Sequence, residues 1–285
     1  MKILGEGRAT GAISILHALG VGKGCSVGID LETHVRIVSD RKDVEKDEHG
    51  LLDAVESCWR EAGLPLPEEF GWEIDTTVPI GQGLKSSAAL SCAALRALNS
   101  CSWTGLSNSE ITDLSVKSQL SSKCSITGSM DDSWASLEPG WKLVDPKCEA
   151  SESVIIQGDM DHNLSVLICE RGKRSSVVSQ VNFTKQRQIF ERTLDSIMGG
   201  SPLDALSSNG MAVAASLGDH EALRISNLCI ASGAVASGIS GSGPSIAIVC
   251  YEEDIEKISQ KISEMGGTVI STRFATSHEL VEEEL

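Results

Sequence analysis

Apolar positions along this 285-residue chain change period several times, and the changes mark out its elements. Residues 2 to 50 alternate short β-like runs with glycine turns: Lys2 to Ile3, Cys25 to Ile29 and Thr33 to Val38. Between them, Ala9 to Leu19 reads as a small-residue helix or loop. Helical spacing runs from Leu51 to Ala62 and stops at Gly63 and Pro65. A strand pattern follows from Trp72 to Val78, then a helix from Ala88 to Leu98 that is apolar nearly all round and so predicted to be buried. Ser107-Asn108-Ser109-Glu110 spells a capping box opening a helix to about Leu120.

The stretch from Asp145 to Ser151 turns polar around Pro146, and a domain junction is predicted there, with domains 1–150 and 151–285. The second part reads as strand (Leu164 to Cys169), three helices (184–198, 203–217, 220–231), strand (Ser245 to Tyr251), helix (Asp254 to Glu264) and strand (Thr268 to Phe274). That order predicts an α+β sandwich on an antiparallel sheet.

Composition narrows the function classes. Hydrophobic residues at 41% and charged ones at 22% describe a globular chain. No run reaches membrane-span length and Met1 leads directly into structural sequence, so a cytoplasmic protein is expected. Nine scattered cysteines without a C-x-x-C pair fit reduced thiols better than a disulfide frame or zinc. A net charge of −16, with acids such as Glu282, Glu283 and Glu284 at the end, argues against nucleic acid or an anionic membrane as partner. Small molecules are the expected partners. Anions must then be held by local donors such as helix N-termini, together with a metal.

Pro79-Ile80-Gly81-Gln82-Gly83-Leu84-Lys85-Ser86-Ser87-Ala88-Ala89 is the segment with the clearest chemistry. A glycine-rich turn there leads into a helix, so free N–H groups of the first turn can meet a phosphate. Ser86 or Ser87 can cap the helix while the other reaches a phosphate-bound Mg²⁺. The spelling is neither G-x-x-x-x-G-K-[ST] nor G-x-G-x-x-G, which excludes a Walker A loop and a dinucleotide fingerprint.

The segment resembles the second motif of the GHMP kinases, P-x-x-x-G-L-G-S-S-A-A, with Lys85 in place of the third glycine; G-L-K-S-S-A is similar to the archaeal-type shikimate kinase branch. Gly5-Glu6-Gly7-Arg8-Ala9 resembles the first motif, whose basic residue Arg8 matches. Gly238-Ile239-Ser240-Gly241-Ser242-Gly243-Pro244-Ser245 resembles the third motif, so Gly241, Ser242 and Gly243 are expected to support the nucleotide loop. Thr127-Gly128-Ser129-Met130-Asp131-Asp132 resembles the segment that supplies a catalytic aspartate; Asp131 aligns with it and Asp132 is its competitor.

The resemblance implies a two-domain GHMP kinase fold, with a first domain like ribosomal protein S5 domain 2 and a ferredoxin-like second domain. It further implies Mg²⁺ and ATP, and phosphorylation of the 3-hydroxyl of shikimate in chorismate and aromatic amino-acid biosynthesis. On this reading Arg8 offsets phosphoryl charge, Asp131 takes or orients the hydroxyl proton, and Ser87 helps place the metal. Lys23 and Arg36 are candidates for the substrate carboxylate. No acid occurs from Leu114 to Met130, where related chains carry a metal-binding glutamate; Lys117 and Gln119 stand there instead. Homoserine or mevalonate kinase chemistry, and a catalytically silent binding module, are the alternatives. The six histidines, His17, His34, His49, His162, His220 and His278, show no metal-ligand spacing.

Overall fold

A computed structural model of the chain describes residues 2–40, 44, 47, 49–172 and 178–276. Glu282 to Glu284 and His278 lie outside the described residues.

The first unit is built on one long antiparallel pair. β1 (Ile3–Leu16) and β2 (Gly24–Val38), joined through α1 (Ala18–Val21), pair from Ile3 opposite Val38 to Leu16 opposite Cys25. The expected helix or loop over Ala9 to Leu19 is therefore strand as far as Leu16. Its small residues have a packing cause: a Cβ on Gly5 or Gly7 would run into the backbone of the helix lying on it, at Ala97 or Ala93. Local strand propensity is low, and tertiary packing overrides it. The two short runs expected at Cys25 to Ile29 and Thr33 to Val38 are one continuous strand.

β3 (Gly71–Thr76) pairs with the far half of β2, β4 (Trp141–Val144) with its near half, and β5 (Val154–Gly158) with β4. The helix on β1 is α3 (Ser86–Ser102). Its flanks are α2 (Leu51–Glu61) and α4 (Asn108–Ser121), and α5 (Asp131–Leu137) packs on β1 and β2. Ser107 and Glu110 form the expected capping box at α4. A short turn of helix, α6 (Ala150–Ser153), precedes β5. Since β5 completes the first sheet, the chain leaves that sheet at Gly158 rather than at 150.

The second unit runs β6 (Leu164–Glu170), α7 (Gln180–Lys185), α8 (Arg187–Met198), α9 (Pro202–Leu217), α10 (His220–Ala231), β7 (Ala236–Ile239), β8 (Ile246–Tyr251), α11 (Ile255–Glu264) and β9 (Thr268–Arg273). Its antiparallel sheet has the order β7-β8-β6-β9, the ferredoxin-like arrangement. The units share one core, in which Ile13, Ile15 and Val27 join Leu167, Val213 and Ile239. Ala275 N–H also donates to the Gly28 carbonyl at 2.9 Å. Among the described residues no helix is long and apolar enough to cross a membrane.

Candidate active site

After β3 the chain turns through Gly81 (φ 73°) and Gly83 (φ 78°) and enters α3 from Lys85 (φ 61°). Ala89 N–H donates to the Lys85 carbonyl at 3.0 Å, so the N–H groups of Ser86, Ser87 and Ala88 precede the helix's own ladder and point out of its N-terminus. The N-cap is Lys85, whose side chain makes no capping bond, rather than either serine. Ser87 Oγ donates instead to Gln119 Oε1 at 3.0 Å. Gln119 is buried and passes the contact on, its Nε2 donating to Ser115 and Ser133.

The two glycines do different work. Beside Gly81 a Cβ would meet open space, whereas one on Gly83 would overlap the Ser240 carbonyl. Gly83 is required for packing against the second glycine loop, not for the approach of an anion. Ser240 Oγ donates to the Gly83 carbonyl at 2.8 Å and Ser245 N–H to the Gln82 carbonyl at 3.2 Å. Gly241 (φ 54°) and Gly243 (φ 71°) turn this second loop, and Ser242 Oγ lies 3.0 Å from His17 Nε2. His17 Nδ1 accepts from Leu19 N–H at 3.2 Å, which leaves the ring proton on Nε2, aimed at Ser242. Position in sequence gave no sign of this contact, because it joins residues 225 apart.

Across from these loops, the N-terminus of α5 carries Asp131 and Asp132. Asp131 is 4% exposed. Ser26 Oγ on β2 donates to its Oδ2 at 2.6 Å and Ser129 Oγ to its Oδ1. A Cβ on Gly24 would overlap its carboxylate. Burial, then the neighbouring Asp132 carboxylate, lift Asp131 to about 7 against the pull of Lys85, Ser129 and Ser26. The buried Cys25 thiol beside it is pushed well above its usual range, by burial first and then by Asp131. Asp132 is more open and accepts an ion pair from Lys85, Nζ to Oδ1 at 2.7 Å. That pair ties the start of α3 to the start of α5.

Three predicted residues are engaged in ion pairs of their own. Arg8 faces His34 across the β1/β2 register while Ser26 faces Ser14, six residues along β1. The Arg8 carbonyl and the Leu137 carbonyl both accept from Arg96, so Arg8 lies at the C-terminal end of α5, the end opposite the aspartates. Its guanidinium is exposed and pairs with Glu32 at 2.9 Å. Arg36 is ten positions beyond Ser26 on β2, bonded to Glu73 and His34. Lys23 is adjacent to Gly24, so it borders the aspartate pocket, but its ammonium holds Asp145 at 2.9 Å.

A cleft of about 1070 Å³ opens around Arg8, Glu32, Arg96, Glu138, Lys142 and Asp159, and neither glycine loop lines it. A smaller slot of about 60 Å³ adjoins Ser86 and Ser87, lined by Ile74, Val78, Ile80, Leu90 and His49. Asp131, Asp132 and Lys85 line neither of these two clefts.

Two glycine loops, an anion-ready helix N-terminus and a buried aspartate between two α+β units define a small-molecule phosphotransferase fold. The chain belongs to the GHMP kinase superfamily: residues 50–140 match the GHMP kinases N terminal domain and residues 221–268 the GHMP kinases C terminal domain. It is 27% identical over 280 residues to a protein named shikimate kinase from Methanobrevibacter smithii, covering 93% of this chain and 95% of that one. A shikimate kinase from Methanocella arvoryzae is 29% identical over 276 residues, covering 94% and 92%. Among solved structures, Methanococcus jannaschii mevalonate kinase superposes with a TM-score of 0.75 at 14% identity, over 95% of this chain and 98% of that one. Mevalonate diphosphate decarboxylase from Staphylococcus aureus gives 0.66 at 14% identity over 96% of each chain. These last two share the fold.

Proposed function

We propose that this chain is an archaeal-type shikimate kinase, transferring the terminal phosphoryl group of ATP to the 3-hydroxyl of shikimate on the route to chorismate. The observation that carries the reading is the buried Asp131, set opposite the N-terminus of α3 in a chain that resembles shikimate kinases along nearly its whole length.

Residues 79–89 would hold the nucleotide phosphates, with the N–H groups of Ser86 to Ala88 as donors and Gly81 leaving open space beside them. Magnesium and ATP, when bound, supply the electrophilic phosphoryl group and neutralise charge on the leaving diphosphate. The donor set suits a metal that arrives on the nucleotide. Ser87 Oγ and Gln119 Oε1 are neutral oxygens, and the described residues contain no cluster of three or more His, Cys, Asp or Glu able to hold a metal. Phosphate oxygens and waters would complete the shell.

Asp131 takes the proton of the attacking hydroxyl as the new O–P bond forms and the bond to the departing diphosphate breaks. A proton affinity near neutrality fits a base that must be free before the step and carry a proton after it. Ser26 and Ser129 fix the carboxylate's direction, and Gly24 leaves it room. Lys23, one residue away, is the carboxylate partner proposed for shikimate, released from Asp145 by exchange.

The test is ADP release from purified protein with Mg·ATP and a panel of acceptors. Shikimate should exceed homoserine, mevalonate and galactose by on the order of 10³-fold or more, since polar pockets discriminate strongly against the wrong hydroxyl pattern. Turnover of homoserine or mevalonate with shikimate inert would move the chain to another GHMP kinase branch. No turnover of any acceptor would favour a silent binding module.

A further inference from the structure

Lys85 adopts a left-handed backbone, φ 61° and ψ 33°, at the N-cap of α3. Glycine accepts that conformation without strain and other L residues do not. Among the described residues two other non-glycine residues have φ in this range, Trp103 and Lys123. Both stand just beyond helix C-termini, where a left-handed residue is the usual way to end a helix. N-caps ordinarily take extended backbone. The other helix with a left-handed N-cap, α2, has Gly50 there. A lysine therefore occupies a strained position that glycine would fill comfortably, and its side chain makes no cap bond in return.

That side chain crosses from the nucleotide loop to the carboxylates. It is 13% exposed, and its Nζ lies 2.7 Å from Asp132 Oδ1. A Cβ on Gly241 would come within 3.6 Å of Nζ, so the second glycine loop walls the ammonium on one side. Ser26 Oγ bridges the two acids, 2.6 Å from Asp131 Oδ2 and 3.2 Å from Asp132 Oδ1. The ammonium thus sits where the helix N-terminus, the second glycine loop and the acidic pair converge. Two adjacent aspartates would repel an incoming phosphoryl group, and this position needs a cation.

We propose that Lys85 is the phosphoryl-binding cation of this centre, the service that the first motif would give to Arg8, whose guanidinium pairs with Glu32 instead. The inference rests on the kinase reading but not on shikimate as acceptor. Strain held at a binding residue is a known device, because the fold around it determines the side chain's direction.

The test compares wild type with K85G, K85Q and K85R in direct titrations with Mg·ADP and with the non-hydrolysable analogue Mg·AMPPNP, no acceptor being present. K85G relieves the backbone strain and is expected to fold; K85Q keeps the strained side-chain geometry and serves if it does not. Both should bind ADP within about threefold of wild type and AMPPNP about tenfold or more weakly, because only the latter carries the terminal phosphate. With acceptor, kcat should fall by on the order of 10²-fold, and K85R should recover part of it. Ethylammonium added to K85G should restore kcat in a saturable way and leave wild type unchanged. An unaltered ADP-to-AMPPNP affinity ratio in both neutral variants, or kcat retained within about threefold, would overturn the proposal. Wild type inert toward shikimate would sink the acceptor reading alone, since the affinity ratio is measured without it.

Discussion

Replacing Asp131 by Asn should cost catalysis and return stability, and the return should depend on pH. Asp131 rises from 3.8 to about 7 on folding. Three units at about 1.4 kcal/mol each make its ionisation in the fold unfavourable by up to about 4 kcal/mol relative to the unfolded chain. Because the value is raised, the folded state binds this proton more tightly than the unfolded one. The group's contribution to stability is therefore complete below about pH 4, declines as pH rises, and is gone above about pH 7. An amide in its place carries no such dependence. The amide can also be satisfied there, because the Ser26 hydroxyl that now donates to Asp131 can accept from it and turn its proton to Asp132, 3.2 Å away.

The gap between D131N and wild type should therefore widen by about 2 kcal/mol between pH 5.5 and 8.5, a window clear of the acidic range where this chain loses its charge. In a thermal melt that is roughly 4–8 °C. Turnover should fall by on the order of 10²-fold or more in the same variant, with nucleotide affinity retained. Parallel melting curves at the two pH values would show that Asp131 titrates as an ordinary carboxylate. Near-normal turnover in D131N with collapse in D132N would assign the base to Asp132.

Further outcomes follow from the same geometry. In wild type, kcat/KM should climb with pH through about 7 as Asp131 loses its proton; a profile flat from pH 6 to 8 would remove it as the base. Gly24→Ala pushes a methyl group into the Asp131 carboxylate and should lower kcat by about tenfold or more with ADP affinity unchanged, measured by turnover and titration side by side. Arg8→Gln breaks an exposed pair with Glu32 and should alter kcat less than about threefold; a hundredfold loss would restore the motif-based role. Ser87→Ala should raise the Mg²⁺ concentration needed for half-maximal rate, and no change would take Ser87 out of the metal's surroundings.

Much of the chain was legible where local pattern and tertiary need agree. The helix from Leu51, the capping box at Ser107 and most elements from Leu164 onward fall within a few residues of expectation, while α7 and the short strand β7 were not read. β1 was not, because its glycines and alanines answer to α3 pressing on it rather than to strand propensity. At the site, the glycine loops and Asp131 could be read from spelling. The aspartate's setting could not, since Gly24, Ser26 and Ser129 are ordinary residues until β2 and α5 bring them together. Arg8 could be read as a residue type at a motif position, but its ion pair with Glu32 across β1 and β2 could not, because it depends on the pairing of the two strands. Lys85 gave one signal, a lysine where related loops have glycine, and the left-handed backbone turns that departure into a reason.

The second glycine loop supplies shape more than chemistry. Ser240 and Ser245 hold the carbonyls of Gly83 and Gln82, and Gln82 Nε2 donates to the Gly172 carbonyl at 2.8 Å, so two segments of the second unit set the path of the first unit's 79–89 loop. A side chain on Gly83 would displace Ser240 before it met any ligand. Gly83→Val is thus a test of how the units dock, and its loss of nucleotide binding should come with a lowered melting temperature. Gly81, beside open space, is the position where a side chain can crowd a phosphate while the loops stay packed. Gly81→Ala is strained at φ 73°, yet touches nothing. Weaker nucleotide binding in Gly81→Ala at near wild-type melting temperature, against loss of both in Gly83→Val, would separate the binding surface of the loop from its support. Equal losses of stability in the two variants would refute that division.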